Sequence, residues 1–267
     1  MDLKNETLDQ LVEALLKSSK YKGISQDLIR SIGLQELAKR SNLKETIKST
    51  KNKLHQVGEI YLDKVKYAQW LDQLRQSEKG HFVGICKEIM GYHASTRERL
   101  PIIDQFYSVV LADLPPIRSV LDLACGFNPL AIPLMGFPEN EPVTYYAYDI
   151  FEDMINFLND FLSIIQVHGY AQSCDIIRAC PTQKVDIAFV LKAIPCLEQI
   201  DKRVGARLLQ SINADHILVS FPVQSLSGHN KGMILNYETR FRELVANTSW
   251  SVKRFELATE LVFRITT

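Results

Sequence analysis

Two textures divide the chain. Up to about residue 76, apolar residues recur at helical spacing; from about residue 117, short apolar runs alternate with amphipathic stretches. In the first part, Leu8, Leu11, Val12, Leu15 and Leu16 fall on one face of LDQLVEALLKSSKY (8–21), which predicts an amphipathic helix. Gly23 is placed to end it. SQDLIRSIGLQELAKR (25–40) repeats the period behind Ser25 as its N-cap, and LKETIKSTKNKLHQVGEIYL (43–62) repeats it again. No proline- or glycine-rich linker follows. Gly80, Gly84 and Gly91 interrupt the pattern within 76–92, so the expected division is a helical domain over 1–90 and a second domain over 91–267.

In the second part, RSVLDLA (118–124), VTYYAYD (143–149), VDIAFVLKA (185–193) and DHILVSFP (215–222) read as strands buried on both faces. Helical patterns lie between them, over 151–167 and 197–212. Strands alternating with helices predict an α/β fold with a mostly parallel sheet. SWSVKRFELATELVFRIT (249–266) reads differently, as two strands turning near Ala258 and Thr259 into an antiparallel hairpin.

Composition narrows the picture. With 267 residues, 46% of them apolar, the chain is long enough to bury a core without disulfides or a structural metal. The 31 basic and 31 acidic residues cancel, yet residues 17–53 carry ten basic side chains against three acidic ones. Lys17, Lys20, Lys22, Arg30, Lys39, Arg40, Lys44, Lys48, Lys51 and Lys53 form a positive segment able to meet phosphates. For any single lysine a solvated helix face is the plainer reading. Five cysteines, odd in number and without C-x-x-C spacing, fit a reducing, cytoplasmic setting. No apolar run approaches the roughly 18 residues of a membrane span, so no membrane partner is expected. The six histidines are scattered, which favours neither a metal site nor a Ser-His-Asp arrangement.

Five segments carry candidate chemistry. In VLDLACGFNPLAIPL (120–134) a buried strand runs into a turn with Gly126, where a ligand can approach closely, and Asn128-Pro129 opens a helix. The turn lacks G-x-G-x-x-G and a P-loop, and a plain strand–turn–helix joint is the alternative. Asp149 ends the second strand, placed either to accept from ribose hydroxyls or to cap the next helix. Asp175 has the same choice between an adenine amino group and a cap. HASTRERLP (93–101) concentrates His93, Ser95, Thr96, Arg97 and Arg99, where an arginine suits a carboxylate or simply faces solvent. SFPVQSLSGHNKGM (220–233) is a long loop with Gly228, His229, Asn230, Lys231 and Gly232, either closing on a substrate or merely flexible.

KLHQV (53–57), HASTRERL (93–100), LDLACGFNPLA (121–131), Leu191-Lys192 with IPCLE (194–198), and VSFPVQSLSGHNKGM (219–233) together resemble the aminoglycoside-resistance 16S rRNA methyltransferases that modify N7 of guanine 1405. The resemblance covers about residues 1–265 in the same order. It implies a Rossmann-like class I sheet that binds S-adenosylmethionine, preceded by an all-helical domain that docks on 16S rRNA of the 30S subunit. It implies cofactor contacts from Tyr61, His93, Ala94, Ser95, Arg99, Ala124, Gly126, Asp149, Asp175, Ile176, Leu191 and Gln199. Arg99 would pair with the cofactor carboxylate, Asp149 would hold the ribose, and Asp175 with Ile176 the adenine. RNA contacts are expected from Lys17, Lys20, Lys22, Arg40, Lys48, Lys51, Lys53, His229 and Lys231. No general base and no metal are expected, and a monomer is the default. A non-catalytic RNA-binding protein on the same fold, or a methyltransferase aimed at another base, are the other readings.

Overall fold

The structure is a computed structural model that describes residues 2–18, 21–55, 65–138, 141–223 and 232–267. Three helices, α1 (Asp2–Leu16), α2 (Gln26–Leu37) and α3 (Leu43–Leu54), pack their apolar stripes together. Leu11, Val12, Leu15, Leu28, Ile29, Ile32 and Leu54 form their own small core. The first helix stops at Leu16, seven residues before the expected Gly23. Gly23 instead offers its carbonyl to the Glu152 N–H at 2.7 Å. Ser25 occupies the N-cap position of α2 but makes no side-chain capping bond. Its N–H donates to the Ile150 carbonyl, and Ile24 bridges Phe151, so this turn is fastened to the segment after Asp149 as well as to its own helix. Asn42 caps α3 by accepting from the Lys44 N–H.

Helices α4 (Tyr67–Gln76) and α5 (Lys79–Met90) follow. The expected boundary at residue 90 does not match the cores. Trp70, Leu71, Leu74, Cys86, Ile89 and Met90 are buried with the sheet, not with α1–α3. Trp70 meets Phe127 edge-on at 5.8 Å, and Phe127 meets Phe157 at 5.9 Å. Drawn by shared core, the division falls between Leu54 and Tyr67. Gly80 and Gly84 lie within the α5 span, so glycine there punctuates the sequence without breaking the structure.

After α6 (Ala94–Arg99) and α7 (Ile103–Val110) comes the sheet: β1 (Ser119–Leu123), β2 (Thr144–Asp149), α8 (Glu152–Ile164), β3 (His168–Ser173), β4 (Val185–Leu191), α9 (Ile194–Leu197), α10 (Val204–Ser211), β5 (Ala214–Pro222), α11 (Met233–Val245), β6 (Ser251–Glu256) and β7 (Glu260–Thr266). The strand order is β3-β2-β1-β4-β5-β7-β6. Strands β3 to β5 pair in parallel, and β7 runs antiparallel between β5 and β6. Asn128-Pro129 opens a 3-10 segment (Asn128–Leu134) rather than an α-helix; Pro133 inside it denies a continuing hydrogen-bond ladder. Among the described residues no helix is long and apolar enough to cross a membrane.

Candidate cofactor cleft

Strand order reverses between β1 and β4, and in open sheets ligands bind beyond the carboxyl ends of strands at such a reversal. A cleft opens there. Two non-glycine residues with left-handed backbone flank the reversal: Ala124 after β1 at φ 51° and Lys192 after β4 at φ 58°. Both line the cleft. Such conformations persist only where the surroundings enforce them, and they cluster at functional sites.

Of the expected cofactor contacts, His93, Ser95, Ala124, Asp149, Asp175, Ile176 and Leu191 line this one cleft. Asp149, at the end of β2, accepts from the Gly126 N–H through Oδ2 at 2.9 Å and from the Ile150 N–H through Oδ1 at 2.7 Å. Burial pushes its carboxyl above the usual range against those donors. Asp175 accepts from the Ile177 N–H, with the Ser31 hydroxyl and the Arg178 N–H also near its carboxyl, while Oδ2 is buried with no donor in hydrogen-bond geometry. Its carboxyl is also raised by burial.

Gly126 stands one layer behind the wall. At φ 51° it favours glycine, and a Cβ there would fall 2.7 Å from the His93 ring. His93 is pushed down to about 3, chiefly by burial and then by Lys192, Arg99 and Arg97, so its imidazole is neutral. Ala94 is buried beside it without lining the cleft.

Arg99, expected to pair with the cofactor carboxylate, is buried. It is not on the cleft wall but under it, with its forked pair made to Glu260 at the start of β7. Nε donates to Oε1 at 2.7 Å, Nη2 to Oε2 at 3.1 Å, and Nη1 to Asn128 Oδ1 at 2.8 Å. The guanidinium also lies over the Phe106 ring. Asn128 passes the network on, donating to Asp122, which also accepts from Tyr145. Gln199 is exposed, with its amide turned to the Pro195 carbonyl, and does not line the cleft. Tyr61 lies outside the described residues.

Several lining residues were not expected. Lys192 reaches the cleft with its ammonium held by Glu98 at 3.0 Å and Glu260 at 3.3 Å. Its position directly after the strand end Leu191 was the available signal. Leu28 of α2 also lines the cleft, along with Leu197 and Ile200, so the helical unit closes part of its mouth. Nothing local in the sequence marks Leu28 as other than core.

The expected RNA-contacting cations divide into two groups. Lys17, Lys22, Lys44 and Lys48 are exposed. Arg40 and Lys53, with Lys39, converge on the buried carboxylate of Glu36, and Lys51 lies over the Tyr21 ring. Lys20, His229 and Lys231 lie outside the described residues.

The family model for ribosomal RNA methyltransferases of the FmrO type matches residues 17–264. The chain is 32% identical over 266 residues to the 16S rRNA (guanine(1405)-N(7))-methyltransferase of Frankia casuarinae, covering 97% of this chain and 93% of that one. It is 31% identical to the enzyme of the same name from Micromonospora rosea, over 98% and 97% of the two chains. Its fold superposes with TM-score 0.84 on the 16S rRNA methyltransferase RmtF in complex with S-adenosyl-L-homocysteine, at 27% identity, covering 100% of this chain and 99% of that one. These matches take in the helical unit as well as the sheet, and the chain belongs to the FmrO family of ribosomal RNA methyltransferases.

Proposed function

We propose that the protein transfers a methyl group from S-adenosylmethionine to N7 of guanine 1405 of 16S rRNA within the 30S subunit, and so confers aminoglycoside resistance. The observation that carries this reading is the cleft at the strand reversal, with Asp149 and Asp175 at the ends of neighbouring strands. Near-full-length relatives named for that activity support the choice of base.

The cleft suits this cofactor by its own chemistry. Ile176, Leu197, Ile200 and Leu28 offer apolar walls, and the unmatched Oδ2 of Asp175 is an acceptor for a purine amino group. Asp149 meets the backbone N–H groups of Gly126, Ile150 and Phe151 and, with about four acceptor positions on its two oxygens, keeps a lone pair for a ribose hydroxyl. Neutral His93 adds no positive charge to repel a cationic sulfur.

S-adenosylmethionine, when bound, supplies a methyl group activated by a sulfonium. Guanine N7 is an acceptor with no proton to lose, so none of the lining side chains is required as a base. The work of the protein is then to hold the two reactants close and in line. Leu191, Lys192 and Ala193 at the end of β4 border the open side, where an extruded base would enter.

The positive segment of the helical unit is the docking surface for the subunit, and the protein acts as a cytoplasmic monomer. The test is methyl transfer from labelled S-adenosylmethionine to purified 30S subunits, with the product base mapped by borohydride and aniline cleavage. Cleavage at guanine 1405 supports the reading. Incorporation elsewhere moves the target, and binding of RNA without binding of S-adenosylmethionine returns the non-catalytic alternative.

A further inference from the structure

Glu36 is a carboxylate buried in the middle of the most basic part of the chain. Its side chain is 1% exposed, between α2 and α3. Oε1 faces the Lys53 ammonium at 3.0 Å and the Lys39 ammonium at 3.3 Å; Oε2 accepts from Arg40 and from the Ser49 hydroxyl. Burial alone would raise this carboxyl, yet Ser49, Lys53 and Lys39 hold it at about 2, so it stays charged.

Two helices thus contribute three cations to one anion. Lys39 and Arg40 follow the end of α2, and Lys53 sits in the last turn of α3. The cluster keeps a surplus of two positive charges. Its cations are graded in exposure, 59% for Lys39, 32% for Arg40 and 17% for Lys53. Long basic side chains ordinarily lose much rotamer freedom on binding a phosphate. Here that freedom is already restricted before binding, and guanidinium and ammonium donors remain for an outside anion.

We propose that Glu36 is a positioning residue for RNA docking, which fixes Arg40, Lys53 and Lys39 as a preformed clamp for backbone phosphates. This rests on the proposed action on 30S subunits. Lys44 and Lys48, on the opposite side of α3, make no ion pair among the described residues and serve as internal controls.

The sign of one substitution separates this from a merely diffuse positive face. Glu36→Gln removes a negative charge, so a diffuse face binds 30S subunits more tightly. A positioned clamp binds them more weakly, because Arg40 and Lys53 are released. We expect KM for 30S subunits to rise about fivefold or more, with kcat and the Kd for S-adenosylmethionine unchanged. The slope of log Kd against log salt should flatten by about one unit for each phosphate that the clamp releases. Unchanged or tighter 30S binding overturns the proposal.

A charge-matched pair keeps the test open should Glu36→Gln fail to fold. Arg40→Gln with Lys53→Gln and Lys44→Gln with Lys48→Gln each remove two positive charges. The first pair should cost clearly more 30S affinity than the second, and equal losses overturn the clamp. Wild-type protein that methylates no 30S subunit defeats the function reading itself, whereas normal wild-type activity with equal losses defeats only the role of Glu36.

Discussion

The guanidinium of Arg99 donates twice to the carboxylate of Glu260, joining residues 161 positions apart in the chain. Their side chains are 1% and 0% exposed, and Lys192 leans on the same carboxylate. Removing one partner of such a pair leaves buried charge uncompensated, which typically costs about 3–5 kcal/mol. Glu260→Ala should lower unfolding free energy in urea by about that amount, whereas Arg99→Met with Glu260→Leu should recover much of the loss. A single variant as stable as wild type contradicts the geometry described.

Asp122 makes stability depend on pH. Burial raises its carboxyl to about 7, against donation from Tyr145 and Asn128. In the unfolded chain the value is about 3.9, so between the two the folded state holds the extra proton. The Asp122 contribution to stability is therefore full at acidic pH and declines as pH rises from about 4 to about 7. Unfolding measured across that window should show a slope in wild type that flattens in Asp122→Asn.

Gly126→Ala should weaken S-adenosylmethionine binding in calorimetry and cost about 1–2 kcal/mol of stability from its left-handed backbone. The added Cβ also meets the His93 ring, so His93→Ala in the same chain should return part of the loss. No rescue would mean that the backbone, not the contact, is responsible.

Asp149→Asn and Leu28→Glu test the cleft from opposite sides. The first replaces one of the two acceptor oxygens that hold Gly126 and Ile150 with an amide donor, and the second puts a charge from the helical unit against the proposed adenine walls. Each should reduce S-adenosylmethionine affinity by about tenfold or more, or about 1.4 kcal/mol. Normal affinity in Leu28→Glu would leave the cleft to the sheet alone.

The strands that sequence reading found are those with local evidence. VLDL, IAFVL and ILVSF are predominantly apolar, broken only by the buried Asp122 and Ser220, because β1, β4 and β5 are covered on both faces. Strand β3 was legible only as a candidate strand before Asp175, because HGYAQS lies at the sheet edge, where only Ala171 is buried. Asp149 and Asp175 were legible since a carboxylate just past a strand is a local pattern. Glu260 and Leu28 were not, because their importance comes from partners brought together only by the fold. Trp70 makes the same point for the domain boundary: helical period reveals that a helix buries a face, not which core receives it.

Glu260 opens β7, which comes after every other strand in the chain and yet is inserted between β5 and β6. A translating ribosome therefore extrudes Arg99 and Lys192 well before the carboxylate that neutralises both exists. Until that strand is made, Arg99 lacks its forked partner and Lys192 has only Glu98, and the floor beneath the cleft stays open. Synthesis proceeds from the amino end, but the step that closes this site runs backwards along the chain, from the hairpin to α6.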